Sequence, residues 1–182
     1  MRELERGGPP TSRLVLWPGL GNCCSLPGLQ DLMGEIEARY GLVVHCIDEG
    51  YGGVLGNIDT QIDEVCRVLK SSLDDKAGYL GFSQGGLFLR ILLQRCDVLP
   101  PGPLVTLGSP HSGVTSWPSC PVTSSSWFCS IMDTVIIEDL GTTSFARSTV
   151  VPASYLYDVD ASAPLLDVAN SCDRTVEGGT CM

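Results

Sequence analysis

No apolar run in the sequence approaches the roughly eighteen residues that a membrane-crossing helix needs. There is no basic run either, and the net charge is −10, so the mean surface potential opposes nucleic acid and anionic lipid head groups. Histidine is almost missing, with two in 182 residues. That is too few for a mixed cysteine–histidine zinc site, and no cysteines stand in CxxC pairs beside histidines. No Asn-x-Ser/Thr sequon occurs. The start, "MRELERGGPPTSR", has no apolar h-region and is not a secretory signal as written. Nothing in the composition implies a metal or an organic cofactor.

Apolar residues are plentiful at 43%, enough to bury a core and too many for a disordered chain. Cysteine is also plentiful at nine, a count that points to disulfides and an oxidising compartment. The oligomeric state is not legible.

Along the chain, "LVLW" (14–17) reads as a buried strand that stops at Pro18-Gly19. Leu29, Leu32, Met33, Ile36 and Tyr40 recur at helical spacing, and Gly41 closes that helix. "LVVHCID" (42–48) reads as a second strand. Asn57 caps a helix with the stripe Ile58, Ile62, Val65, Cys66, Leu69 and Leu73. "GYLGF" makes a third strand, "GGLFLRILLQRC" a helix apolar on nearly all sides, and "PLVTLGSP" a fourth strand. This alternation, with strands apolar on both faces, predicts an α/β fold with a parallel sheet flanked by helices. After Pro110 the pattern weakens, leaving one helix near Ser130 to Leu140 and no closing strand. The expected divisions are a flexible segment at 1–12, a core at 13–110, and a partial inserted lobe at 111–182.

Gly81-Phe82-Ser83-Gln84-Gly85 fits the GxSxG nucleophile elbow, in the strand-then-helix context that gives the motif meaning. A serine on so sharp a turn projects its hydroxyl above the sheet, and Gly81 and Gly85 admit close backbone approach. The helix then starts beneath the serine, with its free N–H groups facing the oxygen that turns negative in acyl transfer. "WPGLGN" (17–22) follows the first strand, at the loop where this fold supplies a second oxyanion-hole donor. The expected donors are the backbone N–H groups of Leu20 and Gln84.

"LVLWPGLGNCC", "IDTQIDEVCRVL", "GYLGFSQGGLFLRILLQRC" and "LGSPHSGV...SWPSCP" together resemble the palmitoyl-protein thioesterases, lysosomal α/β-hydrolases. That family removes long acyl chains from cysteines of lipid-modified proteins. The resemblance runs from about residue 14 to 130 and more faintly to 160. It implies that Ser83 is the nucleophile and that Leu20 and Gln84 form the oxyanion hole. It further implies disulfides Cys66–Cys96 and Cys120–Cys129 and a vicinal pair Cys23–Cys24. Cys46, Cys172 and Cys181 have no counterpart. Pro18 stands where the family commonly has histidine.

The expected triad runs nucleophile, acid, histidine. Here the histidines are His45, inside the second strand, and His111, too soon after Ser83 for two further strand–helix units. Asp133, Glu138, Asp139, Asp158, Asp160, Asp167, Asp173 and Glu177 follow the elbow, none in the family's acid context. The chain therefore reads as the N-terminal portion of a thioesterase acting on S-palmitoylated proteins, in the lysosome or secretory pathway. Two readings stay open beside it: a catalytically inactive acyl- or lipid-binding relative, and a lipid-ester hydrolase.

Overall fold

The computed structural model describes residues 12–47, 55–73, 76–114 and 151–156. The expected helix near Ser130 to Leu140, Cys120, Cys129, Cys172, Cys181, all eight candidate acids and nearly all of the segment 1–12 lie outside the described residues.

Among the described residues, four strands form one parallel sheet: β1 (Arg13–Trp17), β2 (Val43–Cys46), β3 (Ala77–Phe82) and β4 (Leu104–Leu107), in the order β2-β1-β3-β4. Parallel neighbours need crossovers. Three helices supply them: α1 (Pro27–Tyr40), α2 (Ile58–Ser72) and α3 (Gln84–Arg95). The β1-to-β2 step runs one way across the sheet, and the β2-to-β3 and β3-to-β4 steps run the other. Right-handed crossovers then place α2 and α3 on one face and α1 on the opposite one. The packing agrees, since α2 touches α3, α3 lies on β1, β3 and β4, and α1 meets β2.

α3 is buried from Gln84 to Leu92, which explains its lack of a polar stripe. Phe88 stands edge-on to Trp17, with ring centroids 5.4 Å apart. α2 buries Ile58, Ile62, Val65 and Leu69 against this core, while Cys66 and Leu73 are partly buried.

Asn57 starts α2 by accepting the N–H groups of Asp59 and Thr60 on Oδ1, at 2.9 and 3.2 Å. Asn57→Ala removes both bonds. It is expected to lower stability by about 1 kcal/mol, read as a lower urea midpoint at unchanged slope.

The helix expected from Leu29 to Tyr40 and closed by Gly41 is α1; on it Leu29, Leu32, Met33 and Ile36 are half-buried and Tyr40 is 66% exposed. Among the described residues α1 rests mainly on the edge strand β2. Val105 and Leu107 of β4, at the other edge of the described sheet, are each about half exposed.

One expectation needs correcting, and it concerns the cysteines. Cys24 is bonded to Cys46, with Cα atoms 5.9 Å apart, and Cys23 is a free thiol 3.2 Å from Ser25 Oγ. No vicinal Cys23–Cys24 pair forms. Parallel pairing sets Cys46 opposite Leu16, at the mouth of the loop that carries Cys24. Neighbouring residues across a trans peptide are only ~3.8 Å apart at Cα, shorter than disulfides prefer. Cys46, which had no counterpart, thus has a partner. Cys66 and Cys96 form the second bridge, joining α2 to the end of α3.

Candidate active site

β3 runs straight into α3 with Ser83 as the only joint. Ser83 has φ 50° and ψ −123°, and among the described residues it alone carries a positive φ without being glycine. Such a conformation costs a residue with a side chain on the order of 1–3 kcal/mol. It persists because its surroundings leave no alternative. The Ser83 N–H donates to Leu107 O at 2.8 Å, fixing the turn to β4, and Gly86 N–H donates back to Ser83 O at 3.1 Å. A Cβ on Gly81 would collide with the backbone of Gly86, and one on Gly85 with the carbonyl oxygens of Trp17 and Pro18. Both glycines are therefore packing requirements of the joint.

The turn leaves Ser83 exposed at the carboxyl end of the sheet while Gln84, the next residue, is buried. The β1 loop comes to the same place. It is folded by Asn22 N–H donating to Gly19 O at 3.0 Å, with Gly21 at φ 74°. A Cβ on Gly19 would sit 3.2 Å from Ser83 Cβ. Leu20, the following residue, is half-buried. Ser83, Gln84 and the loop carrying Leu20 are thus brought together. α3 begins at Gln84, directly after Ser83, so the positive end of its dipole lies at the same place.

The histidines are engaged elsewhere. His45 lies on β2, separated from β3 by β1, and its Nε2 is 2.9 Å from Arg13 Nη1. A guanidinium can only donate, so the imidazole nitrogen accepts. His111 Nε2 is 3.0 Å from Thr106 Oγ1 on β4, and its carbonyl oxygen is 3.4 Å from Arg90 Nη1. Burial first, and then the Arg90 charge, lower its pKa and keep the ring neutral. Neither ring is bonded to Ser83 among the described residues.

The sequence reading missed one participant. Tyr155, just after a short 3-10 turn (Val151–Ser154), donates its hydroxyl to Gln84 Oε1 at 2.7 Å. It lies in a stretch of weak periodicity, where the aromatic-rich "SYLY" is the sole hint of a packed segment.

A serine on a strained strand-to-helix joint at the carboxyl end of a parallel sheet, with the β1 loop folded beside it, defines an α/β-hydrolase core. The family model described as palmitoyl protein thioesterase matches residues 13–168, and the chain belongs to that family. It is 32% identical over 160 residues to palmitoyl-protein thioesterase 1 of Caenorhabditis elegans, covering 80% of this chain and 51% of that protein. It is 38% identical over 116 residues to a palmitoyl-protein thioesterase-dolichyl pyrophosphate phosphatase fusion of Schizosaccharomyces pombe, covering 59% of this chain and 19% of the fusion. The chain thus spans about half, or less, of these relatives' lengths. Among solved structures, the Bacillus licheniformis lipase BlEst2 in mature form has a TM-score of 0.47 at 19% identity, over 62% of this chain and 46% of its own. The RedJ thioesterase of Streptomyces coelicolor has a TM-score of 0.42 at 16% identity, over 87% and 58%.

Proposed function

We propose that Ser83 is the nucleophile of a serine thioester hydrolase that removes long-chain acyl groups, palmitoyl above all, from cysteines of S-acylated proteins. The observation that carries this reading is the Ser83 backbone, held at φ 50° where only a specific need for an exposed hydroxyl justifies the strain. Ser83 Oγ attacks the thioester carbonyl carbon. The N–H groups of Leu20 and Gln84 receive the oxyanion, and the cysteine sulfur leaves and takes up a proton. Water then attacks the acyl-serine, and the fatty acid departs as Ser83 regains its hydrogen. Elbow glycines Gly81 and Gly85 hold the geometry. A serine hydroxyl is a poor nucleophile without a base, and the proposed chemistry takes its proton acceptor from outside the described residues. It uses no metal or organic cofactor.

The disulfides Cys24–Cys46 and Cys66–Cys96 support an oxidising compartment, the secretory pathway or lysosome. A net charge of −10 favours protein or peptide substrates over nucleic acid.

A second reading, an acyl-binding relative without catalysis, is favoured by the engagement of both histidines away from Ser83. Fluorophosphonate labelling separates the two. We expect a hydroxylamine-resistant adduct at Ser83, and faster release of palmitate from a palmitoyl-cysteine peptide than from a matched ester. Palmitate binding without any Ser83 adduct would establish the second reading, and faster ester cleavage would point to lipid esters.

A further inference from the structure

We propose that Tyr155 is a positioning residue that aims the backbone N–H of Gln84 at the oxyanion by bracing the Gln84 side chain from behind. The proposal rests on Ser83 being the nucleophile. Gln84 is the first residue of α3, where a polar side chain would ordinarily turn to water. Here it is 2% exposed. A buried primary amide is unfavourable unless its polar atoms are bonded, and Tyr155 Oη donates to Gln84 Oε1 across 71 positions of sequence. The phenol is itself 2% exposed, and burial pushes its pKa up, so it stays a donor.

The brace reaches further than one bond. The Tyr155 ring stands edge-on to Phe88, with centroids 6.4 Å apart. Phe88 lies one turn after Gln84, hence on the same helix face. Phe88 also stands against Trp17, the last residue of β1, from which the loop bearing Leu20 departs. Tyr155 thus bears on the first turn of α3 and, through Phe88, on the root of the other donor loop. Its backbone is tied down too. Val114 N–H donates to Tyr155 O at 3.2 Å, and Val114 pairs with Leu156 in a parallel bridge. A segment some forty positions beyond β4 has therefore returned to sit behind the elbow.

Tyr155→Phe keeps the ring and deletes only the hydroxyl. Its fluorophosphonate adduct at Ser83 is expected to form about 10- to 100-fold more slowly, below the effect of deleting an oxyanion donor outright. With a thioester, kcat falls and KM holds. Adding Tyr155→Phe to Gln84→Leu should have little further effect, because the bond's partner is already gone. The Gln84 backbone amide resonance should shift or broaden in Tyr155→Phe, while those of β1 and β3 stay in place. That resonance needs no catalysis to observe. An unmoved Gln84 signal, or loss of the β1 and β3 signals as well, would overturn the positioning role and leave Tyr155 a packing residue. Failure of the unaltered protein to label would overturn the nucleophile assignment instead.

Discussion

Ser83→Gly is expected to melt at a higher temperature than the unaltered protein while losing the fluorophosphonate adduct that the proposed nucleophile would form. The two effects have one origin. At φ 50° and ψ −123° a serine carries backbone strain that glycine does not. Relief of roughly 1–3 kcal/mol is offset in part by the greater freedom of glycine in the unfolded chain, roughly 0.5–1 kcal/mol. A net gain of about 1 kcal/mol corresponds to a rise of roughly 2–4 °C for a domain of this size. Ser83→Ala is the informative companion. It deletes the same hydroxyl but retains a Cβ, so it loses the adduct without the gain in stability. Calorimetry on both variants, beside fluorophosphonate labelling, separates strain from chemistry. A glycine variant no more stable than the alanine variant would mean that the joint is relaxed and that its geometry is no mark of function.

The contrast between what was legible and what was not follows from the range of the forces. The elbow could be read because its demands are local: a close approach at Gly81, another at Gly85, and an exposed side chain between them all fall within five residues. α2 could be read because Asn57 caps it and its apolar stripe faces one neighbour. The α1 spacing located its helix, though periodicity records which face is apolar and not how much protein stands ready to cover it. Pairing of Cys24 with Cys46 depends on β2 lying parallel beside β1 in one register, a fact of assembly that spacing alone does not carry. The Tyr155–Gln84 bond depends on a chain returning from far beyond β4. Long-range contacts of this kind finish the site, and they are the ones the sequence hides.

Gly85→Ala is expected to destabilise the protein by about 3 kcal/mol or more, the upper range of overpacking effects. The obstacle to the added methyl is backbone on β1's side: the carbonyl oxygens of Trp17 and Pro18 and the carbonyl carbon of Trp17. A flexible side chain could swing aside, but these atoms are held by the sheet. The start of α3 has to lift from the end of β1, which draws Gln84 away from the loop bearing Leu20. Stability and Ser83 reactivity should therefore fall together, with the melting temperature lower by roughly 6–12 °C. Gly34→Ala supplies the comparison. Gly34 lies within α1 with open space where a Cβ would go, so alanine there should be neutral or stabilise by about 0.5–1 kcal/mol. If the two alanine variants melted alike, the contact between the elbow helix and the β1 loop would be too loose to hold two N–H groups on one oxygen.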